Sequence, residues 1–233
     1  MERIPYCVVV SLIYANRESR LTARISQSLK FRKKKACLFL DADGVLWEDN
    51  GPGTILRSPE ICSEARDLIF KFSGDEDHLV IVVTNQTSAA RNLISLNSLR
   101  ELLFEFFKRS QNIAKIDAVY ACFHHPKAEN PELSVNCKCR KPSPEMIFRA
   151  SRKFNIDLSQ SFFVGDRVTD MQSANLAGVS QSFLLVNSRM FEVNIQNSSP
   201  KDREKLNSVF LPVSNLSEVS RLVLSIKNQG RQS

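Results

Sequence analysis

Short apolar runs alternate along the chain with longer segments in which apolar residues recur every three or four positions. Runs of four to eight apolar residues indicate buried strands, and the three-to-four spacing indicates amphipathic helices. The pattern predicts five strands, at 36–40, 78–84, 117–122, 161–165 and 181–186, with a candidate edge strand at 209–212. It predicts helices at 58–74, 96–110, 144–154, 170–177 and 216–228.

This alternation of strands and helices is typical of an α/β domain with a parallel sheet. The run at 78–84 is apolar throughout, as expected of a strand with helices on both faces of its sheet. Ligands of such sheets bind beyond the carboxyl ends of the strands. The loop at 47–57 follows the first strand and is long enough to lean over that edge.

The net charge of +7 belongs to one segment of the chain. Residues 1–35 contain nine lysines or arginines and two acidic residues, whereas the remaining 198 contain 23 of each sign. We therefore predict a basic N-terminal extension over 1–35 and one neutral domain over 36–233. Organelle targeting by the extension is an alternative. No apolar run is long enough to cross a bilayer, and we expect a cytoplasmic protein.

Two carboxylates one residue apart, Asp41 and Asp43, follow the first predicted strand. The strand period of two puts them on one side of the chain, where they repel each other unless they share a cation or a proton. An Asp-Gly turn explains this stretch alone equally well. Two other predicted strands end at Thr84-Asn85 and at Asp166. Because such ends meet in one crevice, the cation interpretation is favoured.

A polar excursion over 122–143 carries a C-x-H…C-x-C pattern. Three thiolates and one imidazole form a closed tetrahedral set for structural zinc, and a metal can fix a loop that has little core of its own. His125 is a competing ligand, and a chance group of thiols and histidines is the alternative. The candidate zinc ligands are Cys122, His124, Cys137 and Cys139.

Four short motifs occur in order: DADGV at 41–45, VVTNQT at 82–87, Lys141 before Pro142, and GDRVTD at 165–170. Together they resemble the four motifs of the haloacid dehalogenase (HAD) phosphohydrolases. The resemblance implies a HAD-like, Rossmannoid three-layer sandwich with a mainly parallel sheet and no large cap domain.

The cysteine and histidine pattern resembles one branch of that superfamily. This branch contains the D-glycero-D-manno-heptose 1,7-bisphosphate 7-phosphatases and the histidinol-phosphate phosphatases. Eleven residues, Pro126 to Asn136, lie between His125 and Cys137. This long gap is more similar to the heptose enzymes.

The resemblance also implies the roles of the site residues. Asp41 would be the nucleophile that forms an aspartyl-phosphate, and Asp43 would be the general acid and base. Mg²⁺ would be held by the Asp41 carboxylate, the Asp43 main-chain carbonyl and Asp166. The other implied roles are phosphate binding by Thr84, the Asn85 backbone and Arg140, positive charge from Lys141, and orientation of Lys141 or a metal-bound water by Asp170.

The alternative is that Thr84, Asn85 and Asp170 are only strand-end and helix-cap groups. We expect a Mg²⁺-dependent phosphatase with a structural Zn²⁺, acting on a small phosphorylated sugar, most simply the 7-phosphate of the heptose bisphosphate. A histidinol-phosphate phosphatase, a polynucleotide 3'-phosphatase and an inactive phosphate-binding scaffold are the rival interpretations. We expect a monomer with neither a nucleic-acid partner nor membrane attachment.

Overall fold

The structure is a computed structural model, and it describes most of the predicted domain. The described residues are 7–11, 33–48, 60–74, 77–186 and 210–229. Residues 7–11 are described by their backbone alone. Most of the basic extension, most of the 47–57 loop and the 187–207 loop therefore lie outside the described residues.

The described secondary structure alternates strands and helices, as the sequence predicts. The strands are β1 (Cys7–Ser11), β2 (Ala36–Leu40), β3 (His78–Asn85), β4 (Ala118–Cys122), β5 (Phe162–Gly165), β6 (Gln181–Leu185) and β7 (Leu211–Val213). The helices are α1 (Ser63–Phe72), α2 (Leu96–Ser110), α3 (Glu145–Phe154), α4 (Val168–Ala177) and α5 (Leu216–Gln229).

One seven-stranded sheet runs through the domain in the order β1-β4-β3-β2-β5-β6-β7. Every neighbouring pair from β4 to β7 is parallel, and β1 alone in this sheet runs antiparallel, against β4. The predicted mainly parallel sheet is confirmed. The edge strand β1 was not predicted, because its short apolar run lies inside a segment dominated by positive charge.

Alternate residues of the central strand β2 enter two different cores. Leu38 and Leu40 pack with α1, α5 and the end of α2 on one face. Cys37 and Phe39 pack with α3 and α4 on the other face. This period-two partition produces the predicted three-layer sandwich and buries β2 on both sides.

Two helices begin at residues other than those predicted. Helix α1 begins at Ser63 because Cys62 is extended (φ −62°, ψ 156°), with its N–H donating to the Leu46 carbonyl at 2.8 Å. Helix α4 begins at Val168, two residues early, because the Asp170 carboxylate accepts from the Arg167 N–H at 3.1 Å and caps the first turn.

Among the described residues, no helix is both long and apolar enough to span a bilayer.

Phe72 anchors the first core at the end of α1. Its ring is fully buried and meets the rings of His78 and Phe162 edge-on at 4.9 and 6.1 Å. We predict that Phe72→Ala lowers the free energy of unfolding by about 3–5 kcal/mol, because it leaves a cavity among rigid rings. Urea denaturation measures the loss.

Phe70→Ala is the matched control, since this ring is on the same helix and is 80% exposed. It should change the free energy of unfolding by no more than about 0.5 kcal/mol. Equal losses in the two variants would contradict the assigned core.

Candidate active site

The carboxyl ends of three adjacent strands bring the predicted site residues together. Asp41 follows β2, Asn85 ends β3, and Asp166 follows β5. The Asp41 N–H extends the β2–β5 ladder by donating to the Val164 carbonyl at 2.9 Å. Parallel register therefore places groups that are far apart in sequence at one edge of the sheet.

A buried lysine lies at the centre of this group. The Lys141 ammonium is 2.8 Å from Asp41 Oδ1 and 2.7 Å from Asp170 Oδ1, and it donates to the Val83 carbonyl at 2.8 Å. Burial alone lowers the pKa of Lys141, but the carboxylates of Asp170 and Asp41 outweigh it, so the pKa is raised. Lys141 therefore stays charged between two acids, as expected of a group that stabilises a phosphoryl transfer.

The Asn85 side chain holds the main chain of Lys141 from both sides. Its Nδ2 donates to the Lys141 carbonyl at 3.2 Å, and its Oδ1 accepts from the Lys141 N–H at 3.1 Å. The sequence analysis assigned only the Asn85 backbone, to phosphate. The side-chain pairing was missed, because nothing in the local sequence shows that residues 85 and 141 meet.

The carboxylates of Asp41, Asp166 and Asp170 offer oxygen atoms that all lie within 4.8 Å of one another. Both Asp166 oxygens are buried and accept no hydrogen bond. Ligands across an octahedral Mg²⁺ lie about 4.2 Å apart, twice the usual bond length of about 2.1 Å. Buried, unsatisfied carboxylate oxygens at this spacing fit a hard divalent cation.

Burial and neighbouring charge change the acidity of two of these groups. Burial, reinforced by the charges of Asp41 and Asp170, raises the pKa of Asp166 to about 8. Burial raises the pKa of Asp170 to about 6, against the opposing effect of Lys141. Without a cation, Asp166 therefore holds a proton near neutral pH, and a bound cation would replace that proton.

Two glycines allow the carboxylates to approach the backbone this closely. An added Cβ at Gly44 would collide with the Asp166 carboxylate, and Gly44 has φ +77°. An added Cβ at Gly165 would lie 2.5 Å from both Cβ and Oδ2 of Asp170. Any larger residue at either position would displace an acid from the site.

The Asp43 carboxylate is held by two donors that the sequence analysis did not identify. Trp47 Nε1 donates to Oδ1 at 2.8 Å, and Gln86 Nε2 donates to Oδ2 at 2.7 Å. Gln86 Nε2 also donates to Thr84 Oγ1 at 3.1 Å, and Thr84 is buried. Gln86 directly follows Thr84 and Asn85 in the second motif, so its position in the sequence could have suggested a role in the site. The sequence analysis assigned roles only to Thr84 and Asn85.

The four predicted zinc ligands form one compact cluster. The Sγ atoms of Cys122, Cys137 and Cys139 are 3.3 to 3.6 Å apart, and His124 Nδ1 is 3.7 Å from Cys122 Sγ and 3.5 Å from Cys139 Sγ. Zinc with S ligands at about 2.3 Å places them about 3.8 Å apart, close to these spacings. His125 is outside this group, so the pattern places His124 rather than His125 in the cluster.

Without a metal, the Cys122 thiol of this cluster keeps its proton. The pKa of the Cys122 thiol is raised, first by its hydrogen bond with Cys139 and then by burial. Binding of a metal would remove such protons, because only the thiolate is a ligand.

Arg140 connects the cluster to the crevice. It lies between Cys139 and Lys141, and its Nη1 donates to the His124 carbonyl at 3.1 Å. Burial lowers the pKa of Arg140; the neighbouring Cys122 and Cys137 oppose this shift, and the positive charges of Arg167 and Arg91 add to it. Arg140 thus places a guanidinium, a group suited to binding an anion, beside Lys141.

Comparison with known proteins identifies relatives of this chain. A family model described as HAD-hydrolase-like matches residues 138–193. The D-glycero-β-D-manno-heptose-1,7-bisphosphate 7-phosphatase of Escherichia coli K12 is 30% identical over 169 residues, which cover 72% of this chain and 87% of the relative. The corresponding α-anomer enzyme of Burkholderia mallei is 34% identical over 163 residues, with coverages of 65% and 80%.

The chain belongs to the heptose-bisphosphate phosphatase family.

A crystal structure of the D,D-heptose 1,7-bisphosphate phosphatase from B. bronchiseptica, in complex with magnesium and phosphate, shares the fold. Its TM-score is 0.61 at 23% identity, and the match covers 82% of this chain and 98% of that one. As a member of the heptose-bisphosphate phosphatase family, this chain is a phosphoric monoester hydrolase of the HAD type. Its relatives are named for both anomers of the heptose.

We predict that Mg²⁺ stabilises the protein more at high pH than at low pH. The folded state holds the Asp166 proton up to about pH 8, whereas the ordinary pKa is 3.8. Metal-free protein therefore binds more protons than the unfolded chain between these values, and it loses stability as the pH rises through this window. Because a carboxylate binds a metal only when it is deprotonated, bound Mg²⁺ would oppose that loss.

Urea unfolding with Mg²⁺ or with a chelator, at about pH 6 and about pH 9, measures the difference. Stabilisation by Mg²⁺ that is equal at both pH values would contradict the assigned role of Asp166.

Proposed function

We propose that this chain removes the 7-phosphate of D-glycero-D-manno-heptose 1,7-bisphosphate through an aspartyl-phosphate. The observation that carries the mechanism is the buried Lys141 ammonium beside Asp41, with the carboxylate of Asp166 on the same edge of the sheet. The names of the relatives support the substrate.

Asp41 attacks phosphorus in the proposed reaction. Its Oδ1 accepts hydrogen bonds from Lys141 Nζ at 2.8 Å and from the Ala42 N–H at 2.7 Å. Neither donor is on Oδ2, so we assign the attack to Oδ2. A new oxygen–phosphorus bond forms there as the bond between phosphorus and the sugar oxygen breaks.

Asp43 transfers the protons in both steps. It gives its proton to the departing sugar oxygen, and it then takes a proton from the water that attacks the aspartyl-phosphate. The second step regenerates the Asp41 carboxylate and releases inorganic phosphate. Lys141, the Thr84 hydroxyl and the Asn85 main-chain N–H neutralise or bind the phosphoryl oxygens.

A divalent cation would be held by the Asp41 carboxylate, the Asp43 main-chain carbonyl and Asp166. The oxygen-only donor set and the two unsatisfied Asp166 oxygens favour Mg²⁺. When bound, it supplies positive charge that lets two anions approach each other. Asp170 serves as both the cap of α4 and the second carboxylate of Lys141, and we propose that it orients the lysine.

The rim around Arg140 supports a substrate with a second phosphate. The positive charges of Arg91 and Arg167 act on Arg140, against the opposing charges of Cys122 and Cys137. A bisphosphate would bring the compensating negative charge, which histidinol phosphate does not carry beyond its scissile group. We expect the enzyme to act as a cytoplasmic monomer on this small substrate.

We propose that Cys122, His124, Cys137 and Cys139 bind a structural Zn²⁺. The donor set contains three thiolates and no open position for water, as in structural zinc sites. The metal would fix the segment that carries Arg140 and Lys141, and loss of an outer support typically costs 10–100-fold in activity.

Asp41→Asn should abolish turnover, because an amide cannot form the aspartyl-phosphate. The measurement is kcat/KM for heptose bisphosphate, histidinol phosphate and a 3'-phosphorylated oligonucleotide. The heptose ester should be the best of the three by at least about tenfold, a difference of about 1.4 kcal/mol in transition-state binding.

Asp67→Asn is the matched control, since Asp67 is exposed on α1, and it should keep full activity. Residual turnover by Asp41→Asn would exclude the mechanism. A preference for either of the other esters would exclude only the substrate.

Cys137→Ser should remove most of the zinc that metal analysis finds in protein purified without chelator, because a hydroxyl replaces a thiolate ligand. It should also lower kcat by roughly 10–100-fold, since Arg140 and Lys141 lose their support. Cys62→Ser is the control, because this exposed thiol lies outside the cluster. Zinc-free wild-type protein with full activity would contradict the proposal.

A further inference from the structure

Each oxygen of the Asp43 carboxylate accepts a hydrogen bond from a side-chain N–H group. The Trp47 indole N–H is 2.8 Å from Oδ1, and the Gln86 amide nitrogen is 2.7 Å from Oδ2. A carboxylate oxygen has two lone-pair directions. A donor on each of the two oxygens therefore fixes the plane of the group.

The indole is fixed by packing on its other side. Trp47 is 8% exposed, and its ring meets the Phe106 ring edge-on at 4.9 Å and 79°. The Trp47 carbonyl accepts from the Gly44 N–H at 2.8 Å, which closes the turn that carries Asp43. The donor is thus held by rigid groups before any substrate arrives.

Gln86 connects Asp43 to the predicted phosphate-binding threonine. The side chain is buried, and its two amide hydrogens serve Asp43 Oδ2 and Thr84 Oγ1. Because Thr84 Oγ1 accepts that bond, its own hydroxyl hydrogen remains available for a phosphoryl oxygen. The Gln86 N–H donates to the Cys122 carbonyl at 2.8 Å, so the backbone here is held as well.

We propose that Trp47 and Gln86 are positioning residues that hold the Asp43 carboxylate for proton transfer to the leaving oxygen. The proposal rests on the proposed function, in which Asp43 is the acid and base. Proton transfer requires a heavy-atom distance of roughly 2.6–3.2 Å, so a carboxylate that rotates freely would lose catalysis at this step.

Trp47→Phe tests the hydrogen bond to Asp43 separately from the packing. It keeps an aromatic ring against Phe106 and removes only the N–H and part of the ring system. The measurement is kcat/KM over a series of phosphomonoesters with leaving groups from simple alcohols to nitrophenol. For kcat/KM the relevant chemical step is formation of the phosphoenzyme, so the later hydrolysis of the aspartyl-phosphate does not enter.

For alkyl phosphates we expect kcat/KM to fall roughly 10- to 100-fold, within the range of general acid catalysis. For nitrophenyl phosphate we expect a change below about threefold, because nitrophenolate leaves without a proton. The dependence of kcat/KM on leaving-group acidity should therefore become steeper.

Two further variants keep the test decisive. Gln86→Met removes the second donor and should steepen the same dependence, so it decides the question if Trp47→Phe does not fold. Phe72→Ala removes core packing without touching the Trp47 or Gln86 hydrogen bonds, so it should lower the melting temperature and leave the slope unchanged.

Equal losses for all esters in Trp47→Phe and Gln86→Met, or no loss in either, would overturn the proposal. The series uses generic esters, so its outcome is independent of the natural substrate. Hydrolysis of these esters without activity on the heptose bisphosphate would reject the proposed substrate alone.

Discussion

The site depends on a buried ammonium group between two buried carboxylates. Lys141 reaches Asp41 from β2, Asp170 from α4 and the Val83 carbonyl from β3. Loss of one partner in such a group leaves an uncompensated buried charge, which costs about 3–5 kcal/mol. The same contacts therefore serve both the fold and the chemistry, because the ammonium joins three elements at the point where a phosphoryl group would gain negative charge.

The loop that carries Lys141 has few buried apolar residues of its own. Its own buried apolar residue Leu133 joins a small cluster with Phe123 and residues of α2. The remaining support is polar: the Asn85 amide holds the Lys141 backbone, and Arg140 holds the His124 carbonyl. A metal in the thiol and imidazole cluster would complete that support, which explains why cluster and lysine are neighbours in sequence.

The sequence predicted the parts of the fold that follow from periodicity. The alternation of apolar residues in β2 matches its two cores, and α2 has the predicted bounds. It predicted that the strand ends would converge, since parallel register makes this necessary. It missed Trp47, Gln86 and the Asn85 side chain, because their partners depend on which atoms meet across the sheet. The early start of α4 was missed because Asp170 was considered only for its charge.

Edge strand β1 was missed for a different reason. Its backbone pairs with β4 in antiparallel register. In the sequence, a long basic segment separates it from β2. The composition of residues 1–35 as a whole is basic, so it does not reveal a strand of only five residues. The local sequence also does not indicate which strand β1 will pair with.

Trp47 is the only tryptophan of the chain, and its indole N–H is bonded to Asp43. The ultraviolet fluorescence of the whole protein therefore comes mainly from one ring at the reaction centre. Any event that rotates or neutralises that carboxylate changes the electrostatic environment of the fluorophore directly. The molecule thus carries an intrinsic optical reporter of its own active-site chemistry, with no label attached.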